Sequence, residues 1–218
     1  LKSKIINNFN FKSNDKIING LGLSNNFNIF FKNLNSIGKN TTEYKSSGQS
    51  ELESLLEINS ELPLLKISER YNETLMPKIS LRLNPGEMKN HSSDEKTINV
   101  SNIFDTNRLG IDDSLEAGNS VTVGVQYEKN NRDHINNYLK ISLASAFRDI
   151  EEDNISKQTS LNKKNSNVFG SIDFGLSKAL NLDYKFAIDN NIQEFEYNSF
   201  GVNLSLNNFV TTFNFVED

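Results

Sequence analysis

The feature that most constrains this chain is a period-two alternation that recurs, segment after segment, from about residue 50 to the end. In "TLMPKISLRLN" the residues Leu75, Ile79, Leu81 and Leu83 fall on one side and Lys78, Ser80 and Arg82 on the other. Only an extended strand separates neighbours in this way, because successive side chains of a strand point to opposite faces. The pattern returns with Val121, Val123, Val125 and Tyr127, and with Leu139, Ile141, Leu143 and Phe147. Val168, Ile172, Phe174 and Leu176 follow, then Leu182, Tyr184, Phe186 and Ile188. Phe200, Val202, Leu204 and Leu206 come next, and Phe209, Phe213 and Phe215 end the series. Earlier, Leu56, Ile58 and Leu62 alternate in "SLLEINSEL", and "KIINNFNF" and "NFNIFFKN" carry a looser version. The expectation is an all-β chain of about nine or ten antiparallel strands with no helix.

Alternation alone suits two architectures. In a soluble sandwich the apolar row packs on a second sheet, and in a membrane barrel it meets lipid while the polar row lines an aqueous interior. Strand and connection lengths favour the barrel. Several periodic runs reach about ten residues, which a tilted membrane strand needs and most soluble strands lack. The connections also alternate: long near 35–48, 85–114 and 149–165, and short near 66–72, 130–134 and 177–180. The link around Asn190 is modest, and Asn207 and Asn208 make a two-residue turn. Brief turns at one end and extended loops at the other are the asymmetry of an outer-membrane barrel. Porin-like channels and cell-surface β-sheet adhesion proteins remain as alternatives.

Composition narrows the function classes. A net charge of -5 with scattered Lys and Arg offers no basic face for a nucleic-acid backbone. With 15 Phe and 6 Tyr the chain is too rich in apolar rings to be disordered. It has no Cys, which excludes disulfides and thiolate metal sites within this segment. Asn makes up about one residue in six, as a nucleotide bias would produce. The chain opens on Leu1 and closes directly after an aromatic strand pattern, so the expectation is a piece of a longer protein.

Catalytic and metal-binding signals are thin. His91 and His134 stand apart among polar residues, in no metal-ligand spacing. Glu151, Glu152 and Asp153 form a charge run that reads as a solvated loop, with a divalent-cation site as the lesser reading. No phosphate loop or nucleophile elbow occurs, and no cofactor is implied. Asn40, Thr41 and Thr42 fit a glycosylation sequon. Gly124, Gly170, Gly175 and Gly201 lie inside strands, either as points of curvature or as tolerated glycines. Lys140, Asp173, Asp183, Lys185 and Asp189 are expected to line a hydrated bore.

The segment between two of these strands is more specified than a spacer needs to be. "PKISLRLNP", Pro77 to Pro85, is followed by Asn102, Ile103, Phe104, Asn107 and Arg108, then by Asp113, Glu116 and Gly118, and then by "SVTVGVQYE". This ordered set resembles the C-terminal barrel of the LptD, or organic solvent tolerance, family, in which a strand with a Pro-x-x-x-Leu-Arg pattern precedes an Asn-(Leu/Ile)-Phe-x-x-Asn-Arg loop. "SELPL" at Ser60 to Leu64 and "NNFVTTFNFVED" resemble flanking elements of the same family. The spacing departs from the family at Gly110 and Ile111, where the glycine is offset by one residue.

The resemblance implies an antiparallel transmembrane β-barrel segment of a lipopolysaccharide-assembly protein in the Gram-negative outer membrane, with residues 1–218 an incomplete part of the barrel domain and no enzyme. It implies lipopolysaccharide as cargo, an LptE-like lipoprotein plug, an LptA-like periplasmic bridge reached through a missing N-terminal domain, and outer-membrane lipid around the wall. On the residues themselves, Asn102, Phe104, Asn107, Arg108, Asp113, Glu116 and Gly118 are candidates for a structured loop folded into the lumen. Arg108 has the planar fork to bridge Asp113 or Glu116, and Phe104 can anchor on the inner wall. A solvated loop with its charges in water is the competing reading.

Overall fold

The computed structural model describes residues 2–18, 20–40 and 45–217. Twelve strands form one antiparallel sheet: β1 (Lys2–Lys12), β2 (Lys16–Ile18), β3 (Leu23–Gly38), β4 (Gln49–Glu61), β5 (Leu64–Ile67), β6 (Tyr71–Asn84), β7 (Gly118–Asn131), β8 (Tyr138–Arg148), β9 (Val168–Gly175), β10 (Leu180–Ile188), β11 (Phe195–Leu206) and β12 (Phe209–Glu217). Consecutive strands pair in the order β1-β3-β4-β6-β7-β8-β9-β10-β11-β12, and the sheet does not close on itself among the described residues. β2 continues the path of β1 along β3, and β5 continues that of β4 along β6. The second break falls at Leu62 and Pro63, where proline has no N–H for the ladder. Ten strand paths result, and the only helical turn described is the 3-10 turn Lys157–Thr159.

Long connections (39–40 with 45–48, 85–117, 149–167) gather with 189–194 at one end of the sheet. Short ones (68–70, 132–137, 176–179 and 207–208) lie at the other. Asn207 takes φ +53° in the two-residue turn. Most expected loop boundaries move by a few residues: Lys66, Ile67, Asn130 and Asn131 lie in strands, the 130–134 turn runs to Asn137, and the loop expected to end at 165 runs to Asn167. The loop expected from Asn35 begins after Gly38, because Asn35 to Gly38 pair with the start of β1. The loop expected to end at Ser114 runs to Ala117, and Gly118 opens β7 at φ +80°. Thr41 and Thr42 of the sequon lie outside the described residues.

The two faces of the sheet invert the arrangement of a soluble protein. On β6, Ser80, Arg82 and Asn84 are 1%, 3% and 0% exposed, whereas Ile79 is 46% exposed. Arg82 and Asn84 of the buried polar row bond the long loop 85–117, and the apolar row faces outward. Water would penalise such exposure of Ile, Leu and Phe, so the outward face calls for an apolar surrounding.

The shape of the outward apolar band sharpens this. On β6 it runs from Leu83 to Leu75, with Glu73 beyond toward the short turns. Glu73 accepts a hydrogen bond from the Tyr127 hydroxyl (3.0 Å) and lies 3.7 Å from Lys66, which marks a polar margin. The register carries the Leu75 row through Tyr127, Ile141, Ile172, Tyr184 and Phe200 to Phe215. On β11 and β12 the same row is the opposite margin: beyond it, toward the long loops, Asn198 donates to Glu217 at 2.9 Å. The band thus descends by roughly eight residues over five strand-to-strand steps, on the order of 26 Å along the strands for about 24 Å across them. That slant of about 45° is the tilt of strands in a membrane barrel.

Inward, the register aligns Lys140 with Asp173, Asp173 with Asp183, and Lys185 with Ser171 and Ser199. Asp189 is not part of this wall. Its carboxylate accepts from the backbone N–H of Gln193 (2.7 Å) and Glu194 (3.0 Å) and closes the exposed 189–194 turn. The glycines inside strands mark close approach: a Cβ on Gly170 would sit 2.0 Å from the Phe186 ring, and one on Gly124 2.8 Å from the Phe104 ring.

The apolar core lies on the inner face, between the wall and the two loops. Ile103, Leu109 and Ile111 of the first loop and Ile155 and Leu161 of the second pack with Ala144, Ala146, Phe169 and Ala187 of β8, β9 and β10. The loops are therefore one packed body on the inner wall. Their buried aliphatic residues supply what the outward-facing strand residues do not.

Candidate functional site: a buried charge network that holds the loop 85–117

The first loop is shaped by its own asparagines. Asn102 accepts from the Asn99 N–H (2.9 Å) and donates to the Thr97 carbonyl (3.1 Å). Asn107 accepts from the Ile111 N–H (3.1 Å) and donates to the Ile111 carbonyl (3.0 Å), bridging a turn in which Gly110 has φ +59°. Between them Ile103 is fully buried and Phe104 lies over Gly124 of β7. These side-chain to backbone bonds are how Asn substitutes for regular structure in a long loop.

At the centre stands Glu116, 7% exposed, with three guanidinium groups around it. Arg108 grips it with both prongs, Nε to Oε2 at 2.7 Å and Nη2 to Oε1 at 2.5 Å. Arg148, from the end of β8, donates to Oε1 at 2.6 Å, and Arg82 of β6 lies 3.8 Å from Oε2. The remaining donors pin the loop to the wall. Arg108 reaches Thr122 (2.8 Å) and Ser120 (3.1 Å) of β7. Arg82 donates to the carbonyls of Asp105 (3.0 Å) and Thr106 (2.7 Å), and Arg148 to that of Ala117.

A second carboxylate, Glu57 of β4, is 1% exposed, accepts from the Thr106 hydroxyl (2.8 Å) and pairs with Arg82 at 3.5 Å. Glu53 of the same strand accepts from the Ser114 hydroxyl (3.1 Å) and the Leu115 N–H. Gly118 completes the arrangement, since a Cβ there would lie 2.8 Å from the Arg148 guanidinium in a backbone conformation that L residues rarely adopt.

Burial pushes the Glu116 carboxyl up, but Arg108, Arg82 and Arg148 outweigh it and hold the group down at about 2, against an ordinary 4.5. Because the folded value is depressed, this stabilisation is fully present above pH ~4.5 and is lost as the pH falls toward ~2, a change of roughly 3 kcal/mol. Acid titration of the full-length barrel, followed by protease access to the loop, should show the loop released across that window. Substitution Glu116→Gln should remove the pH step and leave the loop accessible at neutral pH.

Of the seven candidate residues, Arg108 and Glu116 pair directly and Gly118 lies against Arg148. Asn102 and Asn107 bond their own loop backbone, Phe104 lies over Gly124, and Asp113, the other candidate partner of Arg108, is turned elsewhere. It is not bonded to Arg108: its carboxylate lies 3.2 Å from His91 Nε2 and 3.8 Å from Lys4. The bidentate partner is Glu116, because Asp113 turns toward β1 while Glu116 turns into the wall. Sequence reasoning missed Arg82, Arg148, Glu57 and Glu53 as members. The available signal was a set of charges in the inward register at the strand ends nearest the specified loop. His91 also bonds Asp94 (2.9 Å), and His134 sits in the 132–137 turn. Among the described residues no group of three or more His, Cys, Asp or Glu is placed to hold a metal ion.

This geometry anchors a segment: its carboxylates are bonded by guanidinium groups, hydroxyls and backbone N–H groups. Residues 26–215, which include the whole network, match the family described as LptD, LPS transport system D. No curated protein matches the chain. The matched family is an outer-membrane component of lipopolysaccharide transport and not an enzyme family. The match spans well over half of the residues, and the open antiparallel sheet is the fold that a piece of such a barrel requires, so the chain belongs to the LptD family of lipopolysaccharide-transport proteins.

Proposed function

We propose that residues 1–218 are part of the transmembrane barrel domain of an outer-membrane translocon that delivers lipopolysaccharide to the outer leaflet, the remaining strands coming from elsewhere in a longer chain. The observation that carries this reading is the slanted outward apolar band, set against an inner wall of Lys, Asp, Ser and Asn. Sugars and phosphates of the cargo travel in the hydrated bore, and acyl chains are left to hydrocarbon. The packed loops close the long-loop end of the bore against other solutes. Energy comes from outside this chain, through an LptA-like periplasmic bridge, and an LptE-like lipoprotein occupies the bore as a partner.

Depletion of the full-length protein tests the reading. Newly made lipopolysaccharide should fail to become accessible at the cell surface while the amounts of other outer-membrane barrels hold. A porin-like channel would leave lipopolysaccharide delivery unchanged and slow the uptake of small solutes. An adhesion protein would be extracted without detergent.

A further inference from the structure

Glu116, held at about 2, stays charged near neutral pH, where histidine is the side chain that exchanges its proton. The chain has two histidines, and His134 lies in the 132–137 turn at the short-turn end. His91 lies where the two long loops meet. Its backbone N–H donates to the Asn154 carbonyl of the second loop at 2.8 Å, and its own carbonyl accepts from the Asp94 N–H at 3.0 Å. The Ser156 hydroxyl, also of the second loop, donates to the Asp94 carbonyl at 2.5 Å. Beside this junction a cavity of about 430 Å³, lined in part by Ser36, Gln49, His91 and Asp113, opens at the long-loop end.

The His91 ring stands between two carboxylates. Nδ1 bonds Asp94 Oδ2 at 2.9 Å, while Nε2 lies 3.2 Å from Asp113 Oδ1, closed off from solvent and with no hydrogen-bond partner among the described residues. Of the other charges gathered here, Lys4 of β1 and Lys89 pair with Asp113 at 3.8 and 4.0 Å, and Lys32 of β3 donates to the neighbouring Asp112 carbonyl. Lys89 is shared with Glu51 of β4 at 3.2 Å, Lys45 stands at the cavity rim, and Glu152 of the second loop accepts from the Asn154 N–H at 3.1 Å. A neutral imidazole carries one N–H. Given to Asp94, it leaves a desolvated Nε2 lone pair against the Asp113 carboxylate; given to Asp113, it leaves Asp94 without its donor. A protonated ring donates at both nitrogens and pairs with both carboxylates. We propose that His91 is a pH-sensitive latch on the two long loops. Charged, it draws Asp94 and Asp113 together, fastening the two ends of the first loop to each other, to Asn154 and Ser156 of the second, and through Lys4 to β1. The latch is complete at mildly acidic pH and is lost as the pH rises through the range in which histidines deprotonate, about 5 to 8. Its sense is opposite to that of Glu116, so the two groups bound a window of pH in which the loops are held most firmly. The latch rests on contacts within this chain and holds for any cargo.

Hydrogen exchange of the full-length barrel tests the latch, read as protection factors so that the pH dependence of free-amide exchange cancels. Between about pH 5.5 and about pH 8, protection of residues 89–98 and 152–160 should fall about fivefold or more, while that of the β7 residues 118–131 stays level. His91→Gln and Asp113→Asn should each abolish the step, with protection near the wild-type alkaline level at both ends of the range and with the heat-modifiable barrel retained. Asp113→Asn keeps the ring and its bond to Asp94, so it carries the test should His91→Gln fail to assemble. Equal wild-type protection at the two pH values would overturn the latch. So would a step that survives either substitution in a folded barrel, or one of the same size in β7, which would be a loosening of the whole wall.

Discussion

Replacing Arg108 with alanine should open the long-loop end of the barrel to bulky solutes. The substitution removes both prongs on Glu116 and the bonds to Ser120 and Thr122. Arg148 keeps its 2.6 Å bond to Oε1, but Oε2 loses its close partner, because Arg82 stands 3.8 Å away and donates to the carbonyls of Asp105 and Thr106. Breaking a buried pair from one side costs about 3–5 kcal/mol, because the surviving partner stays desolvated. That is enough to shift the loop from almost always seated to substantially released, since each ~1.4 kcal/mol is a factor of ten in the equilibrium. Uptake of a large hydrophilic antibiotic should rise tenfold or more while the heat-modifiable barrel is retained. Arg108→Lys should rescue little, since an ammonium cannot reproduce the planar fork. Unchanged uptake with a folded barrel would mean that the Ile103 and Leu109 packing alone seats the loop.

Placing a lysine on the outward face should prevent assembly, whereas the same lysine one residue away should not. Val202 of β11 faces outward between Leu182 and Phe213, near the middle of the apolar band on that strand. Asn203 faces inward beside Asn181 and Thr212. A lysine at the bilayer midplane costs roughly 2–4 kcal/mol in a barrel, and one in the aqueous bore costs little. Val202→Lys should reduce the folded full-length protein in the outer membrane severalfold, and Asn203→Lys should leave it near wild type. Gel mobility without heating reads the folded fraction. Equal tolerance at the two positions would remove the basis for assigning lipid to the outward side.

The strands were legible in the sequence because their two rows differ in kind. On β10, Leu182, Tyr184, Phe186 and Ile188 alternate with Asp183, Lys185 and Ala187, so one register satisfies both faces. What faces what was open, because a sandwich and a barrel share that alternation. The answer lay in the pairing of distant strands, where the Leu75 row crosses the band from one margin to the other. The loop was partly legible: Arg108 and Glu116 are eight residues apart in one segment, and both belong to a specified pattern. Arg82 and Arg148 were not, because a strand arginine in the inward register looks the same whether it meets water or a buried carboxylate. Leu161 and Ile155 likewise gave no signal, since isolated aliphatic residues in a polar loop acquire a partner only when another loop folds beside them. Asp113 and Glu116 could not be told apart as partners of Arg108, because loop backbone geometry decides the direction of each.

Single cysteines placed one at a time from Leu182 to Ala187 in the full-length barrel, treated with a water-soluble maleimide in intact membranes, test the orientation of the wall directly. Cysteines at 182, 184 and 186 should be protected and their nitroxide derivatives broadened by paramagnetic lipid, while those at 183 and 185 should react. Reaction at the even positions, or protection of the whole run, would contradict an outward apolar band in contact with lipid.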